Sequence, residues 1–483
     1  MDADIINYAT KKSIILTEEA LRLLNNYNYK EVINKLVEKK KIFVLPKDIQ
    51  EVCNDDTCKR REKYIKNYHI MEKYDVTNKK YSQGRVEDFL NLFTDKYKTI
   101  SEIIRERTNF EQTPINEAKH LGKNKPVDII GMIYEKRTSK NGNLILNVDD
   151  LSGTVNLVIT TKNEEMFKEA KEILNDNVMG FKCNVIAENM FIVNEMIYPD
   201  IPLQNNKPHL EDDCYIAMIG DTHVGSKLFL ENEFASFIDW ISGNVEKDKE
   251  IAKNIKYLII AGDLVDGIGV YPAQFEELAI TDIFKQYELF EEYILKIPKE
   301  ITIFITPGNH DAVRLSDPQP AIKKEFIPQL YNQPNIHLLG SPTWIDIEGF
   351  KTIIYHGAAL HGIYAEIKEA TMSKPDIAMK EVLKRRDLMP QYGERQTFIP
   401  MEKNLMTINE VPDIFVGADV HHHAYSKYKN CHLINVSCWQ SITAYQLEKG
   451  HKPTLCKVML FNLKDQTLKI KDFEKSQDEK IQI

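Results

Sequence analysis

Five apolar runs in the second half of the chain each break off into the same small set of polar residues. YIAMI (215–219) runs into Gly220-Asp221-Thr222-His223, and YLIIA (257–261) into Gly262-Asp263 with Asp266 three residues on. ITIFIT (301–306) leads to Pro307-Gly308-Asn309-His310-Asp311, KTIIY (351–355) to His356-Gly357, and DIFV (413–416) to Gly417-Ala418-Asp419 and then His421 to His423. Short β-branched runs of this kind, alternating with helical segments, predict an α/β domain from about residue 210 to 475. In such sheets ligands collect beyond the carboxyl ends of the strands. Five strand ends that carry Asp, Asn or His therefore predict one shared site. Glycine beside them allows the sharp turns and close approach such a site needs.

The donor types narrow the chemistry. Mixed carboxylate, amide and imidazole groups suit Mn²⁺, Fe²⁺ or Zn²⁺ better than Ca²⁺, with Mg²⁺ a further candidate. A carboxylate shared by two cations would set them ~3.5–4 Å apart, an arrangement suited to hydrolysing phosphoesters. A single Asp-x-His or Gly-Asp is usually an ordinary surface turn. Five in order, each closing a strand, are not.

The rest of the chain adds domains. Residues 1–60 predict a small helical domain. Thr17 caps a helix with Glu18 and Glu19 in its first turn, Asn25-Asn26 marks a turn, and Pro46 opens a later segment. Residues 61–112 predict a Lys- and Tyr-rich linker (61–82), followed by an amphipathic helix over about 85–107 through Phe89, Leu92, Phe93, Tyr97, Ile100 and Ile104. Over 113–205, three strand-like runs, a helix and two more strands follow the order of an OB-fold β-barrel. Lys119, Lys123, Lys125, Lys136, Arg137 and Lys140 lie near its first hairpin. They suit single-stranded nucleic acid, with an ordinary solvated loop as the alternative. Residues 476–483 predict a charged, frayed tail.

Bulk properties exclude other classes. No apolar run approaches the ~18 residues of a membrane span. The first residues lack the pattern of a signal peptide. Seven scattered cysteines, an odd number, argue against a disulfide framework. Cys53 and Cys58 have no second pair to complete a zinc knuckle. A cytoplasmic protein is expected. A net charge of −9 argues against a surface built only to hold nucleic acid, but not against a nuclease with acidic metal ligands.

The ordered motifs D-x-H, G-D-x-x-D, G-N-H-D and H-G, with the histidines of the fifth loop, resemble the calcineurin-like metallophosphoesterases over about 210–460. Within that range GDLVDGIGVYPAQ (262–274), GNHDAVRLSDPQPAI (308–322) and LINVSCWQSIT (433–443) resemble the small subunits of archaeal family D DNA polymerases. The domain order, helical region, OB barrel, phosphoesterase, is similar across nearly the whole chain. This resemblance implies an αββα phosphoesterase domain. It also implies a 3′→5′ exonuclease that proofreads DNA beside a large catalytic subunit, using two divalent cations, Mn²⁺ first among them. Asp221, His223 and His421 would bind one cation, Asn309 and His356 the other, with Asp263 bridging. His310 would be the acid and Asp266 its orienting partner.

Arg314 could meet a substrate phosphate or tie down its own loop. Tyr271 could line the cleft. His337, His361, His432 and His451 match no motif position, and Trp439 is expected in the core. At the fifth loop the family pattern is Gly-His-x-His, and here Asp419 stands at the first histidine. It either ligates the second cation as a shorter oxygen donor or leaves that cation loosely held. A register shift to His421 and His423 is the third option. A non-catalytic scaffold subunit and a stand-alone small-molecule phosphoesterase are the competing functions. No glutamine-led clamp motif stands out, so contact with a sliding clamp stays open.

Overall fold

The computed structural model describes residues 2–24, 29–53, 66–80, 82–203, 208–393, 396–448 and 450–474. Cys58, the Asn25-Asn26 turn and the charged tail lie outside the described residues. The chain divides into two compact units, residues 1–66 and 67–483.

The first unit contains helices Asp2–Lys11, Glu18–Leu24, Tyr29–Glu38 and Pro46–Cys53. A short parallel pair, Ile15–Leu16 with Phe43–Val44, accompanies them. Thr17 Oγ1 accepts the Ala20 N–H at 3.2 Å, the expected cap. Ile5, Ala20, Leu24, Val32, Leu36 and Ile49 fill a small core of this unit's own.

The second unit is a multidomain α/β assembly. Strands Pro126–Thr138, Leu144–Asp149, Thr154–Ile159, Val178–Ala187 and Met190–Ile197 form a closed five-stranded barrel, with helix Glu164–Ala170 between the third and fourth. The third and fifth strands pair in parallel and the remaining pairs are antiparallel. Lys136 donates to the Lys171 and Ile173 carbonyls, so it braces the barrel.

Helix Val86–Thr108 runs where its periodicity placed it. Tyr97, Ile100 and Ile104 pack with Ile130 and Val178 of the barrel. Phe89 and Phe93 instead set ring edges against Tyr392, at 5.5 and 5.6 Å. Lys96 pairs with Asp387 at 2.6 Å, both buried. One helix thus clamps the barrel to the larger domain.

That domain holds two six-stranded sheets. The first has strands Tyr215–Ile219, Ile255–Ala261, Thr302–Thr306 and Ile336–Leu338 in parallel, extended by the antiparallel Lys457–Asn462 and Thr467–Asp472. The second orders Ala424–Tyr428, Cys431–Asn435, Ile414–Gly417, Phe350–Ile354, Thr343–Ile347 and Tyr68–Ile70. Helices Glu231–Ile241 and Ile283–Ile294 share a core with the first sheet, and Leu360–Glu366 and Pro375–Arg385 with the second. The inner faces meet: Tyr68 packs on Phe304 at 5.4 Å and His432 on Phe461 at 4.5 Å. Trp439 is core, against Phe234 and Phe237.

One expectation changes here. Part of the run read as a linker is an edge strand: Tyr68–Ile70 pairs antiparallel with Thr343–Ile347. Its order comes from that tertiary pairing and from Tyr68 packing, which local composition does not reveal.

Among the described residues, Cys183, Cys438 and Cys456 are free thiols. No helix among the described residues is long and apolar enough to cross a membrane.

Candidate metal centre

The five polar loops converge at the carboxyl ends of both sheets' parallel strands. Main-chain bonds stitch them together: Asp221 N–H to Gly262 carbonyl at 2.9 Å, His223 N–H to Asp263 carbonyl at 3.1 Å, and Ala418 N–H to His356 carbonyl at 2.9 Å. Five non-glycine residues here occupy the left-handed region: Asp221 (φ 48°), His223 (48°), Asp263 (49°), Asp419 (73°) and His421 (54°). Such conformations are unfavourable for each residue alone and cluster at functional sites. The glycines are sterically required. A Cβ on Gly308 would lie 2.2 Å from Asp263 Oδ1, and one on Gly262 would lie 2.4 Å from His356 Nδ1.

The side chains form two adjoining groups. In the first, donor atoms of Asp221, His223, Asp263 and His421 all lie within 4.8 Å of one another, and all four residues are buried. His223 Nε2 and His421 Nε2 are 2.9 Å apart. Asp221 Oδ1 is 3.8 Å from His421 Nε2, and Asp221 Oδ2 is buried with no hydrogen-bond partner among the described residues. In the second group His356 Nε2 is 3.1 Å from Asn309 Oδ1, 3.3 Å from Asp263 Oδ2 and 3.8 Å from Asp419 Oδ1. The same Asp263 Oδ2 is 3.8 Å from His223 Nε2, so it faces both groups. Asp263 Oδ1 accepts the His310 N–H at 2.8 Å.

This donor set fits divalent cations. An orphaned buried carboxylate oxygen and two facing imidazole nitrogens are costly without a positive charge between them. Burial pushes the Asp221 carboxyl well above the usual range, and the Asp263 and Asp419 charges push it the same way. Burial would also raise Asp263, but the imidazoles of His356, His310 and His223 hold it low. Burial opposes a charge on His356, yet Asp263, Asp221 and Asp419 outweigh it and raise the imidazole. His421 is driven down by burial and by neighbouring His223, which leaves it neutral, the form that binds a metal.

The surrounding contacts orient these groups. His356 Nδ1 lies 2.8 Å from the Ala261 carbonyl, which turns Nε2 toward Asn309 and Asp263. Gln446 Nε2 is 2.9 Å from His421 Nδ1. His310 Nδ1 lies 2.7 Å from the main-chain carbonyl of Asp266, and its ring meets His223 edge-on at 4.6 Å. Asp266 is thus beside His310, but its carboxylate serves other residues. Oδ1 is 3.2 Å from His223 Nδ1 and accepts from Gln440, and Oδ2 accepts from Gln274.

Asp221, His223, Asp263, Asn309, His310, His356, Asp419 and His421 are all brought together. His423 is not, because its N–H bonds to Thr454 Oγ1 and its ring faces His422. The unshifted register, with His421 inward, is the one adopted. Arg314 donates to the Pro318 carbonyl in its own loop. The Tyr271 ring lies 6.0 Å from His310 and its hydroxyl donates to Glu277. His337 and His432 contact Tyr68 and Tyr425, and His451 Nε2 lies 2.7 Å from the Val420 carbonyl, between Asp419 and His421 in the fifth loop. Sequence reasoning missed Gln274, Gln440, Gln446 and His361. The first two stand in the stretches 262–274 and 433–443 that carried the resemblance, whereas Gln446 and His361 had no motif to mark them.

A family model for the B-type subunits of DNA polymerases alpha and epsilon matches residues 216–427. The DNA polymerase II small subunit of Archaeoglobus fulgidus is 39% identical over 381 residues, covering 78% of this chain and 76% of that protein. The protein of that description from Methanothermobacter thermautotrophicus is 35% identical over 392 residues, 80% of each chain. The one from Thermoplasma acidophilum is 33% identical over 476 residues, 97% of this chain and 93% of its own.

Proposed function

Because this chain belongs to the family of archaeal DNA polymerase II small subunits, we propose that it is the metal-dependent 3′→5′ exonuclease of a two-subunit DNA polymerase. A large subunit would carry nucleotidyl transfer, and the 3′ end of single-stranded or frayed DNA would be the substrate. The observation that carries this reading is Asp263 Oδ2, which faces both donor groups at once. On this reading the barrel is an OB fold and residues 210–475 are a calcineurin-like phosphoesterase domain. Residues 1–60 are a separate helical domain.

Asp221, His223, Asp263 and His421 would hold one divalent cation, and Asp263, Asn309, His356 and Asp419 the other, with Mn²⁺ the first candidate. The cations would supply Lewis acidity to the phosphoryl oxygens. The chain's own residues do the rest. Asp263, Asp266 and Asp419, whose carboxyls are held low, set the negative field that attracts the cations, and Asp221 adds its charge once it sheds its proton. His310, held at Nδ1 by the Asp266 carbonyl, presents Nε2 as the atom that gives a proton to the departing 3′ oxygen when the ring is charged. Asp266 positions both rings, His310 through its main chain and His223 through its carboxylate. Arg314 shapes its loop in this state, and a phosphate contact would require it to leave the Pro318 carbonyl.

A second reading, a scaffold subunit with weakened chemistry, is favoured by one residue: Asp419 stands where the family pattern has histidine. The test is a substrate panel, with Mn²⁺ and the chain bound to its large subunit. Stepwise loss of 3′ nucleotides supports the exonuclease. Tight assembly without hydrolysis of any phosphoester supports the scaffold. Hydrolysis of small phosphodiesters alone contradicts both.

A further inference from the structure

His361 carries a contact that the two-cation site does not by itself explain. Asp419 is almost fully enclosed, with 9% of its side chain exposed, and its backbone is left-handed at φ 73°. Its N–H points to Asp221 Oδ1 at 3.3 Å. Its carboxylate is split between two histidines. Oδ1 faces His356 Nε2 at 3.8 Å, and Oδ2 meets His361 Nε2 at 2.8 Å. An aspartate reaches less far than a histidine and has an extra rotatable oxygen pair, so something must fix which oxygen faces the donor group.

His361 is placed to do this. It sits in the first turn of helix Leu360–Glu366, which starts directly after the His356-Gly357 turn. Bonds from Leu360 N–H to the Gly357 carbonyl and from Ala359 N–H to Tyr355 Oη, both 2.8 Å, set that start. The His361 ring rests edge-on against Tyr364 at 5.7 Å. Residues 356–361 therefore supply both a donor, His356, and an anchor for the facing carboxylate.

We propose that His361 is a positioning residue for the second cation: its Nε2–H holds Asp419 Oδ2 so that Oδ1 is presented toward His356. This rests on the two-cation reading above. A hydrogen-bond partner behind a metal-binding group is typically worth ~10–100-fold in metal affinity.

The test counts Mn²⁺ bound to the full-length chain by electron paramagnetic resonance and calorimetry. The wild type binds two ions. His361→Ala keeps the first and weakens the second by about tenfold or more, comparably to Asp419→Ala. His361→Gln, whose amide can still donate to Oδ2, keeps both ions within about threefold, which also guards against misfolding of the alanine variant. Two ions at wild-type affinity in His361→Ala overturn the proposal and leave the two-cation reading intact. Equal loss in His361→Ala and His361→Gln also overturns it, pointing to an imidazole nitrogen on the ion itself. Fewer than two ions in the wild type overturn both.

Discussion

His223 and His421, 198 residues apart in sequence, bring their Nε2 atoms to 2.9 Å inside a buried pocket that also holds Asp221 and Asp263. Two imidazole nitrogens at that distance must share a proton or face a cation. His421→Ala is expected to remove the first Mn²⁺ and lower 3′ hydrolysis by at least ~100-fold, with the second ion retained. Calorimetry alongside a hydrolysis assay checks this. Loss of activity with both ions still bound would contradict it.

Both cation positions should respond to pH. At the first, burial and His223 hold His421 low and neutral, but burial raises the Asp221 carboxyl, which must shed a proton to bind. His356 must shed a proton, because three carboxylates overcome its burial and raise it. A proton leaving on binding makes affinity fall as pH falls. Lowering pH from about 8 to about 6 is therefore expected to weaken both ions. Calorimetry in buffers of different ionisation enthalpy measures the released protons, and an affinity for either ion that does not vary with pH would oppose the assignment.

Asp266 touches His223, Gln274 and Gln440 with its carboxylate and His310 with its carbonyl. Asp266→Asn preserves the carbonyl. It is expected to lower first-ion affinity by ~10–100-fold through His223 while leaving the His310 backbone contact in place. Unchanged Mn²⁺ affinity would show that the carboxylate does not orient the histidine.

Lys96 and Asp387 form a buried pair at the seam between the long helix and the larger domain. Removing one partner strands the other: Lys96→Met is expected to cost ~3–5 kcal/mol. The double replacement Lys96→Met with Asp387→Leu should recover most of that loss. Urea unfolding measures both, and additive losses would refute the pairing.

Burial raises the Asp317 carboxyl to about 6, against the hydrogen bonds from Tyr355 and Gln396. The unfolded carboxyl titrates near ~4. Between those values the folded chain keeps a proton that the unfolded chain has lost. Stability therefore falls as pH rises from about 4 to about 6 and levels off above. Asp317→Asn should gain on the wild type across that window by up to about 2–3 kcal/mol. A difference that does not vary with pH would contradict the assignment.

Much of the site was legible because its residues follow strands whose apolar runs are unmistakable: Asp221, Asp263, Asn309 and His356 each stand one to three residues beyond a strand that the pattern predicts. The helix through Leu92, Tyr97 and Ile104 was legible for the same reason, a period that matches one buried face. The partners were not. Gln440 reaches Asp266 across 174 residues and His361 reaches Asp419 across 58, and no local period encodes such pairings. Strand Tyr68–Ile70 is three residues long, and only its neighbour Thr343–Ile347 makes it a strand.

Asp263 is the residue on which the two-cation account turns. The most direct measurement follows a 5′-labelled primer with a mismatched 3′ end, in Mn²⁺, with the chain bound to its large subunit. The account predicts stepwise shortening by the wild type and a loss of at least ~1,000-fold in Asp263→Asn, with assembly unchanged. Shortening that survives Asp263→Asn, or none in the wild type, would contradict it.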